Sequence, residues 1–209
     1  MHIDKHGTLA ALLSKKVWSE DSDIPLMAST VNREEFVQRA GNIPLYAHTY
    51  PFFFNLQRGL LRPKDLINFA YVNALSGCAM HIHDGGPYSL GAITTAEREA
   101  LSQYASELDI QLSLETSHTD TKHIDEIVAV AKDMDLHDIR AYSRYEGRVS
   151  EVCQLIVADL TYMAELAEKH ALDFYFEQHE ELKSTEIVKC IEKTGSPRIG
   201  ILFDFCNMY

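Results

Sequence analysis

Short apolar runs alternate with longer amphipathic stretches from about residue 43 onward. Apolar runs bounded by helical patterns are typical of parallel strands that are buried in the fold. The pattern predicts six strands, over residues 45–48, 79–83, 111–115, 139–142, 172–177 and 199–204. It predicts helices between them over residues 63–75, 95–108, 123–134, 148–170 and 185–193. This alternation indicates repeated βαβ units and one parallel sheet.

The fold class that this pattern favours is an α/β barrel of the (β/α)8 or TIM-barrel type. A complete barrel has eight strands in about 250 residues, so six predicted strands correspond to an incomplete barrel. Such a barrel would leave open strand edges and an uncovered apolar interior. We therefore expect the sequence to be part of a longer chain. A doubly wound sheet is the alternative, but Gly85-Gly86-Pro87 lacks the spacing of its phosphate-binding turn.

Residues 1–41 lie outside the alternation and are predicted to form a helical extension. Leucine and valine side chains recur there at helical spacing. A second helix is predicted to begin at Asn32, where Glu35 completes a capping box, and to end at Gly41. The remaining residues, 42–209, are predicted to be the partial barrel.

Charge and composition narrow the classes of partner. The formal net charge is -12, with 31 acidic and 19 basic residues, which disfavours a nucleic acid as the partner. No apolar run reaches the eighteen or so residues of a membrane span, and the N-terminus lacks a signal-peptide core. The four cysteines form no CxxC pair, so they are predicted to be reduced, buried and not zinc-binding. We expect a cytoplasmic protein.

Two carboxylates end neighbouring apolar runs, and they are the main candidates for chemistry. Glu177 closes the fifth predicted strand and Asp204 the sixth. The carboxyl ends of barrel strands form the active-site face, and a buried carboxylate is costly unless it is paired or metal-bound. We predict that both bind a divalent cation. His179 and Asn207 follow them, and each is predicted to contact substrate, with a role in orienting the ligands as the alternative for His179.

Three further residues are candidate substrate contacts. His83 shares a strand face with His81 in the predicted register; a polar strand end that binds no metal is the favoured interpretation of this pair. Glu115 ends the third predicted strand. Arg140 lies inside the fourth, where a buried guanidinium needs an anionic partner. It is predicted either to neutralise the barrel carboxylates or to hold a substrate oxygen.

These motifs together resemble the sugar phosphate isomerase/epimerase family of xylose isomerase-like TIM barrels. Glu177-Gln-His-Glu180 and Asp204-Phe-Cys-Asn207 resemble the strand-end Glu-Asn-His and Asp-x-x-Asn patterns of that family, with Gln178 in place of the usual asparagine. The other stretches that carry the resemblance are residues 81–91, 96–101 and 112–116.

The resemblance implies a divalent metal (manganese, magnesium, cobalt or zinc) held by Glu, Asp, His and Glu side chains. The resemblance implies that Glu177 is the first metal ligand and the catalytic acid or base, and that Asp204 is the second ligand. The His and Glu ligands would follow Tyr209. The resemblance also implies proton transfer next to a carbonyl of a small sugar or sugar-like substrate. We expect the chain as given to be inactive and able to form a homo-oligomer. The alternatives are an AP endonuclease-like DNA repair enzyme and a non-catalytic barrel with a binding role.

Overall fold

Six parallel strands form a single sheet in the part of the chain that the structure describes. The computed structural model describes residues 43–179 and 182–205. Strand order follows chain order, and every neighbouring pair is parallel. The strands are β1 (Tyr46–His48), β2 (Gly77–His81), β3 (Gln111–Thr116), β4 (Asp138–Ala141), β5 (Asp173–Glu177) and β6 (Ile199–Leu202). This order is that of an α/β barrel, and within the described residues the barrel is not closed.

Helices connect successive strands, as the sequence pattern predicts. They are α1 (Phe53–Gln57), α2 (Pro63–Val72), α3 (Thr95–Glu107), α4 (Thr121–Met134), α5 (Val149–His170) and α6 (Ser184–Glu192). Only α1 and two single-turn 3-10 helices, at Tyr50–Phe52 and Gly86–Tyr88, were not predicted. The predicted extension over residues 1–41 lies outside the described residues.

Local capping explains where two of these helices begin. At the start of α3 the Thr94 hydroxyl accepts from the backbone N–H of Glu97 at 3.3 Å, and the Glu97 carboxylate accepts from the backbone N–H of Thr94 at 2.8 Å. Asp120 caps α4 by accepting from the backbone N–H of His123. Both arrangements satisfy amide groups that have no partner inside the helix. The Thr94 cap fixes where the chain enters α3, and the Asp120 cap fixes where it enters α4 after leaving β3.

The two faces of the sheet differ sharply in polarity. On β4 and β5 the side chains of Ile139, Ala141, Phe174 and Phe176 are at most 2% exposed and belong to the apolar core shared with the helices. The alternate positions face the other way and line the barrel interior: Tyr46, His48, Gln111, Ser113, Glu115, Asp138, Arg140, Tyr175 and Glu177. The expected apolar interior is therefore wrong for the described strands, because the apolar residues of each run are the ones that pack against helices.

Two tyrosine rings on the interior face lie over glycines of the adjacent strand. Tyr46 pairs in register with Gly77, and Tyr175 pairs with Gly200. A Cβ atom on Gly77 would lie 2.4 Å from the Tyr46 ring and 2.4 Å from the Gln111 carbonyl oxygen. At Gly200 the nearest atom would be a Tyr175 ring carbon at 3.2 Å. Glycine at these positions gives each ring a flat surface to cover.

The remaining expectations about the whole chain have mixed outcomes. For the membrane expectation, no helix among the described residues is both long and apolar enough to cross a membrane. Cys78 and Cys190 are buried as predicted, whereas Cys153 is only partly buried and Cys206 lies outside the described residues. Burial raises the pKa of the Cys78 thiol to about 12. Within residues 43–179 and 182–205, β1 and β6 each pair with one neighbour. Association of copies through such edges stays a prediction.

We predict that Gly77→Ala destabilises the protein by about 1–3 kcal/mol, because backbone and ring atoms must both move to accept the methyl group. Gly200→Ala is the matched control, since only a tyrosine ring need shift there. Urea unfolding curves of the two variants and the wild type measure the difference. Equal stability of Gly77→Ala and the wild type would contradict the close packing of Tyr46 on this strand.

Candidate active site

Four of the predicted site residues line one cavity. The cavity has a volume of about 1140 Å³ and lies along the interior face of the sheet. Glu115, Arg140, Glu177 and Asp204 contribute to its wall. His83 and His179 do not belong to that wall, and Asn207 lies outside the described residues. The cavity therefore brings together the carboxylates and the arginine and leaves the two predicted histidine contacts apart.

Arg140 lies between the two buried carboxylates. Its Nε and Nη2 atoms donate to the Glu177 oxygens at 2.9 and 2.5 Å, which makes a two-point ion pair. Nη1 donates to Glu115 Oε1 at 2.9 Å. Glu115 and Glu177 are only 3% and 1% exposed. Parallel register explains the contact, since Arg140 is opposite Glu115 on β3 and opposite Tyr175, two residues before Glu177, on β5.

His48, which sequence reasoning did not single out, is the fourth member of this cluster. Its Nδ1 accepts from the backbone N–H of Tyr50 at 2.9 Å. In the neutral ring the proton is therefore on Nε2, which lies 2.5 Å from Glu115 Oε2 and donates to it. His48 ends the first apolar run, so the signal that marked Glu177, a polar residue closing a strand, applies to it equally.

The charged side chains of this cluster stabilise one another in their ionised forms. Burial alone would raise the pKa of Glu115, but the hydrogen bond from His48 and the charge of Arg140 outweigh it, so the pKa lies below its ordinary value. Burial would lower the pKa of Arg140, yet the two carboxylates raise it. Both groups are thus charged at neutral pH, which is the condition for a stable buried ion pair.

The predicted metal ligands are an incomplete fit to a divalent cation in this arrangement. Both oxygens of Glu177 accept from Arg140, so the cation next to this carboxylate is a guanidinium, which would repel a second positive charge. Asp204 lies two residues beyond the end of β6, where the sequence pattern placed it inside the strand. Together they are two carboxylates, fewer than the ligands that a tight site needs.

The predicted histidine contacts lie elsewhere on the same edge of the sheet. β2 ends at His81, so the prediction that His83 continues this strand is wrong; the chain turns there, and His83 Nε2 lies 3.2 Å from Glu126 on α4. His81 instead meets Ser117 after β3, and burial lowers its pKa. His179 stacks on Tyr142, with 4.5 Å between ring centroids.

Among the described residues, one group of three side chains is close enough together to hold a metal ion, and it is not the predicted one. It consists of His118, Asp120 and His123, whose ligand atoms lie within 4.8 Å of one another. The group occupies the connection between β3 and α4. Its sequence signal is the spacing His-x-Asp-x-x-His across a helix start, where side chains two and three residues apart converge around the cap.

Two curated sequences resemble this chain over most of its length, although a scan against protein-family models finds no match. The uncharacterized protein YihM of Escherichia coli (strain K12) is 36% identical over 182 residues, which are 87% of this chain and 56% of YihM. The 3-oxo-isoapionate decarboxylase of Pectobacterium atrosepticum is 26% identical over 160 residues, 75% of this chain and 56% of the decarboxylase. The chain thus spans a little over half the length of both relatives.

Solved structures match the fold at low sequence identity. The probable 3-DHS dehydratase AsbF from Bacillus anthracis has a TM-score of 0.62 and 15% identity, covering 79% of this chain and 64% of AsbF. The IOLI protein, crystallised with a zinc atom, has a TM-score of 0.59 and 12% identity, with coverage of 76% and 62%. A xylose isomerase domain protein from Planctomyces limnophilus has a TM-score of 0.57 and 14% identity, with coverage of 78% and 63%. Together with six parallel strands in sequential order, these similarities show that the chain has the fold of the xylose isomerase-like TIM barrels.

Proposed function

We propose that the protein moves a proton next to a carbonyl group of a small sugar or sugar-like substrate, as an isomerase, an epimerase or a related lyase. The observation that carries this proposal is the pair of buried carboxylates, Glu115 and Glu177, joined by Arg140 in the wall of the barrel cavity. The fold supports it, because TIM-barrel enzymes build their active sites at the carboxyl ends of their strands. The similarity to a decarboxylase of an oxo-sugar acid points to the same substrate class.

Arg140 retains hydrogen-bonding capacity for a substrate. A guanidinium has five N–H donors, and three of them are used on Glu115 and Glu177. Nη1 also lies 2.6 Å from His48 Nε2, so the donor that remains belongs to Nη2. In the proposal it binds a carbonyl or hydroxyl oxygen of the substrate, which places that oxygen beside the carboxylates.

Glu177 is the proposed acid or base. A carboxylate can remove a proton from a carbon next to a carbonyl when it lies within hydrogen-bond reach of it. The bidentate pair with Arg140 fixes the Glu177 side chain, which lines the cavity. Glu115, held by His48 and Arg140, supplies the negative charge that keeps the guanidinium oriented.

The proposal includes a divalent cation (manganese, magnesium, cobalt or zinc), which could bind only after the side chains of the site rearrange. Such an ion would polarise a carbonyl oxygen when bound. Glu177 and Asp204 are its proposed carboxylate ligands, and Arg140 would have to release Glu177 first. With these two ligands alone, we expect weak metal binding and little turnover by the 209-residue chain, and we propose that further ligands complete the site in longer forms of the protein.

A non-catalytic binding role is the second candidate, and one observation favours it. The guanidinium of Arg140 already neutralises Glu177, and a carboxylate in a tight ion pair is a poor base. In that case the cavity would bind a small polar ligand through Arg140 without changing it.

Hydrogen–deuterium exchange at carbons next to the carbonyl tests the proposed reaction. We expect the longest natural form of the protein, with Mn²⁺, to exchange this proton in at least one member of a panel of ketoses and oxo-sugar acids, followed by NMR. Glu177→Gln should slow the exchange by about 10²–10⁴-fold, the usual contribution of a general acid or base. The exposed Glu168 gives the matched control, Glu168→Gln, which should exchange normally.

Exchange that Glu177→Gln leaves intact would show that this residue is not the base. Ligand binding without exchange, weakened by Arg140→Lys, would support the binding role instead, because lysine cannot reproduce the forked contact.

The pH dependence of stability tests the charge cluster itself. The pKa of Glu115 is lower in the folded protein than its ordinary value. Its contribution is therefore present above a pH of about 4.3, the ordinary pKa of glutamate, and is lost as the pH falls below this value. Glu115→Gln should be less stable than the wild type at neutral pH, and the gap should narrow in acid. Urea unfolding between about pH 7 and pH 3.5 measures it; parallel stability curves for the two proteins would contradict the assignment.

A further inference from the structure

A second group of ionisable side chains lies on the rim of the barrel, outside the cavity that holds Arg140. Its centre is formed by His118, Asp120 and His123, called the rim triad below. None of the three lines the interior cavity. All three are partly buried, so the triad is accessible to an ion and still enclosed enough to hold it.

The local fold brings the triad together. Asp120 caps α4, and His123 lies in the first turn of that helix, so both side chains point back over the cap. Asp120 Oδ2 lies 2.5 Å from His123 Nδ1. The imidazole of His118 stacks on that of His123, with 4.4 Å between centroids and 23° between planes. Two imidazoles and one carboxylate therefore converge without any movement of the backbone.

We propose that the rim triad binds a transition-metal ion of the zinc type. Two histidines and one carboxylate are a ligand set that zinc uses in proteins, with one coordination position left for water or another ligand. Imidazole donors select such ions over magnesium or calcium, which prefer oxygen ligands. The ligand atoms lie within 4.8 Å of one another; about 3.5 Å would suit tetrahedral coordination at the usual zinc distances. In the proposal the side chains rotate on binding so that their ligand atoms face the ion.

Charges of both signs surround the triad. The Glu126 carboxylate lies 3.2 Å from His83 Nε2. The rings of His83 and His123 meet edge to face, with 5.9 Å between their centroids. The positive end of α4 and the nearby Arg144 oppose a bound cation. Asp120 offsets the helix end directly because it is the capping residue.

Gly91 packs against the side chains of His83 and Glu126, which border the rim triad. A Cβ atom there would lie 3.0 Å from a Glu126 oxygen and 3.7 Å from the His83 ring. The loop after β2 thus packs closely on the pair of side chains that borders the triad. Coordination through Nδ1 would replace the contact between Asp120 Oδ2 and His123 Nδ1. The neutral imidazole then carries its single proton on Nε2, so Nδ1 binds the ion without a net loss of a proton from the ring.

Calorimetric titration of Zn²⁺ into the metal-free 209-residue chain tests the proposal. We expect one tight site, distinct from weak binding in the cavity, and at least a tenfold loss of affinity at that tight site in each of His118→Asn, Asp120→Asn and His123→Asn. Asparagine at position 120 keeps a good helix cap, so this variant removes the charge without removing the start of α4. Thermal melts should show stabilisation by Zn²⁺ in the wild type and little in the three variants.

Two control variants make the result specific. His137→Asn removes an exposed histidine that directly precedes β4, and Glu168→Gln removes an exposed carboxylate of α5; both should bind Zn²⁺ like the wild type. A third variant, Asp204→Asn, tests whether the tight site lies in the barrel cavity instead. Absence of binding, or binding that the triad variants leave unchanged, would overturn the proposal. Binding lost only in Asp204→Asn would overturn it too, and would locate the ion in the cavity. The outcome is independent of the proposed proton transfer, since no turnover is measured.

Discussion

A guanidinium between two buried carboxylates is the interaction on which the interior of this barrel depends. Glu115 and Glu177 are almost completely removed from solvent, and carboxylates so placed are stable only when a positive charge and hydrogen bonds replace their lost hydration. Arg140 provides both to the two residues, and His48 completes the shell of Glu115. Loss of the arginine alone would leave two uncompensated negative charges a few ångströms apart. The cluster therefore ties β1, β3, β4 and β5 together at their carboxyl ends.

The ion pairs of Arg140 favour substrate binding and at the same time make Glu177 less available for catalysis. A fixed arginine with a remaining donor on Nη2 is suited to hold an oxygen of a polyhydroxylated substrate. Its ion pair with Glu177 also occupies the carboxylate that a metal or a substrate proton would need. Both uses require the pair to loosen when a ligand enters, and substrate oxygens that replace Glu177 on the guanidinium would achieve this. The site is thus best understood as a charge-balanced resting arrangement.

The two groups of ionisable side chains at the strand ends differ in what can balance their carboxylates. In the cavity the positive charge comes from a side chain that is part of the protein. At the rim, three side chains with the chemistry of metal ligands converge at the start of α4 and carry no arginine between them. This difference follows from the scaffold: β-strand residues are spaced by the sheet register, while loop and cap residues can converge within a few positions of one another.

The sequence alone determined most of the architecture. Periodic apolar runs predicted all six strands and the five long helices, because side chains that pack between sheet and helices must be apolar. It also marked Glu115, Arg140, Glu177 and Asp204 as polar residues at or near strand ends, and these share one cavity. What it did not determine is which of these groups pair. That depends on register between strands far apart in sequence, which brings Arg140 to Glu177 and His48 to Glu115. The end of β2 at His81, the departure of His83 toward α4 and the convergence of the rim triad are likewise decided by tertiary packing, since each depends on where the next helix lies against the sheet.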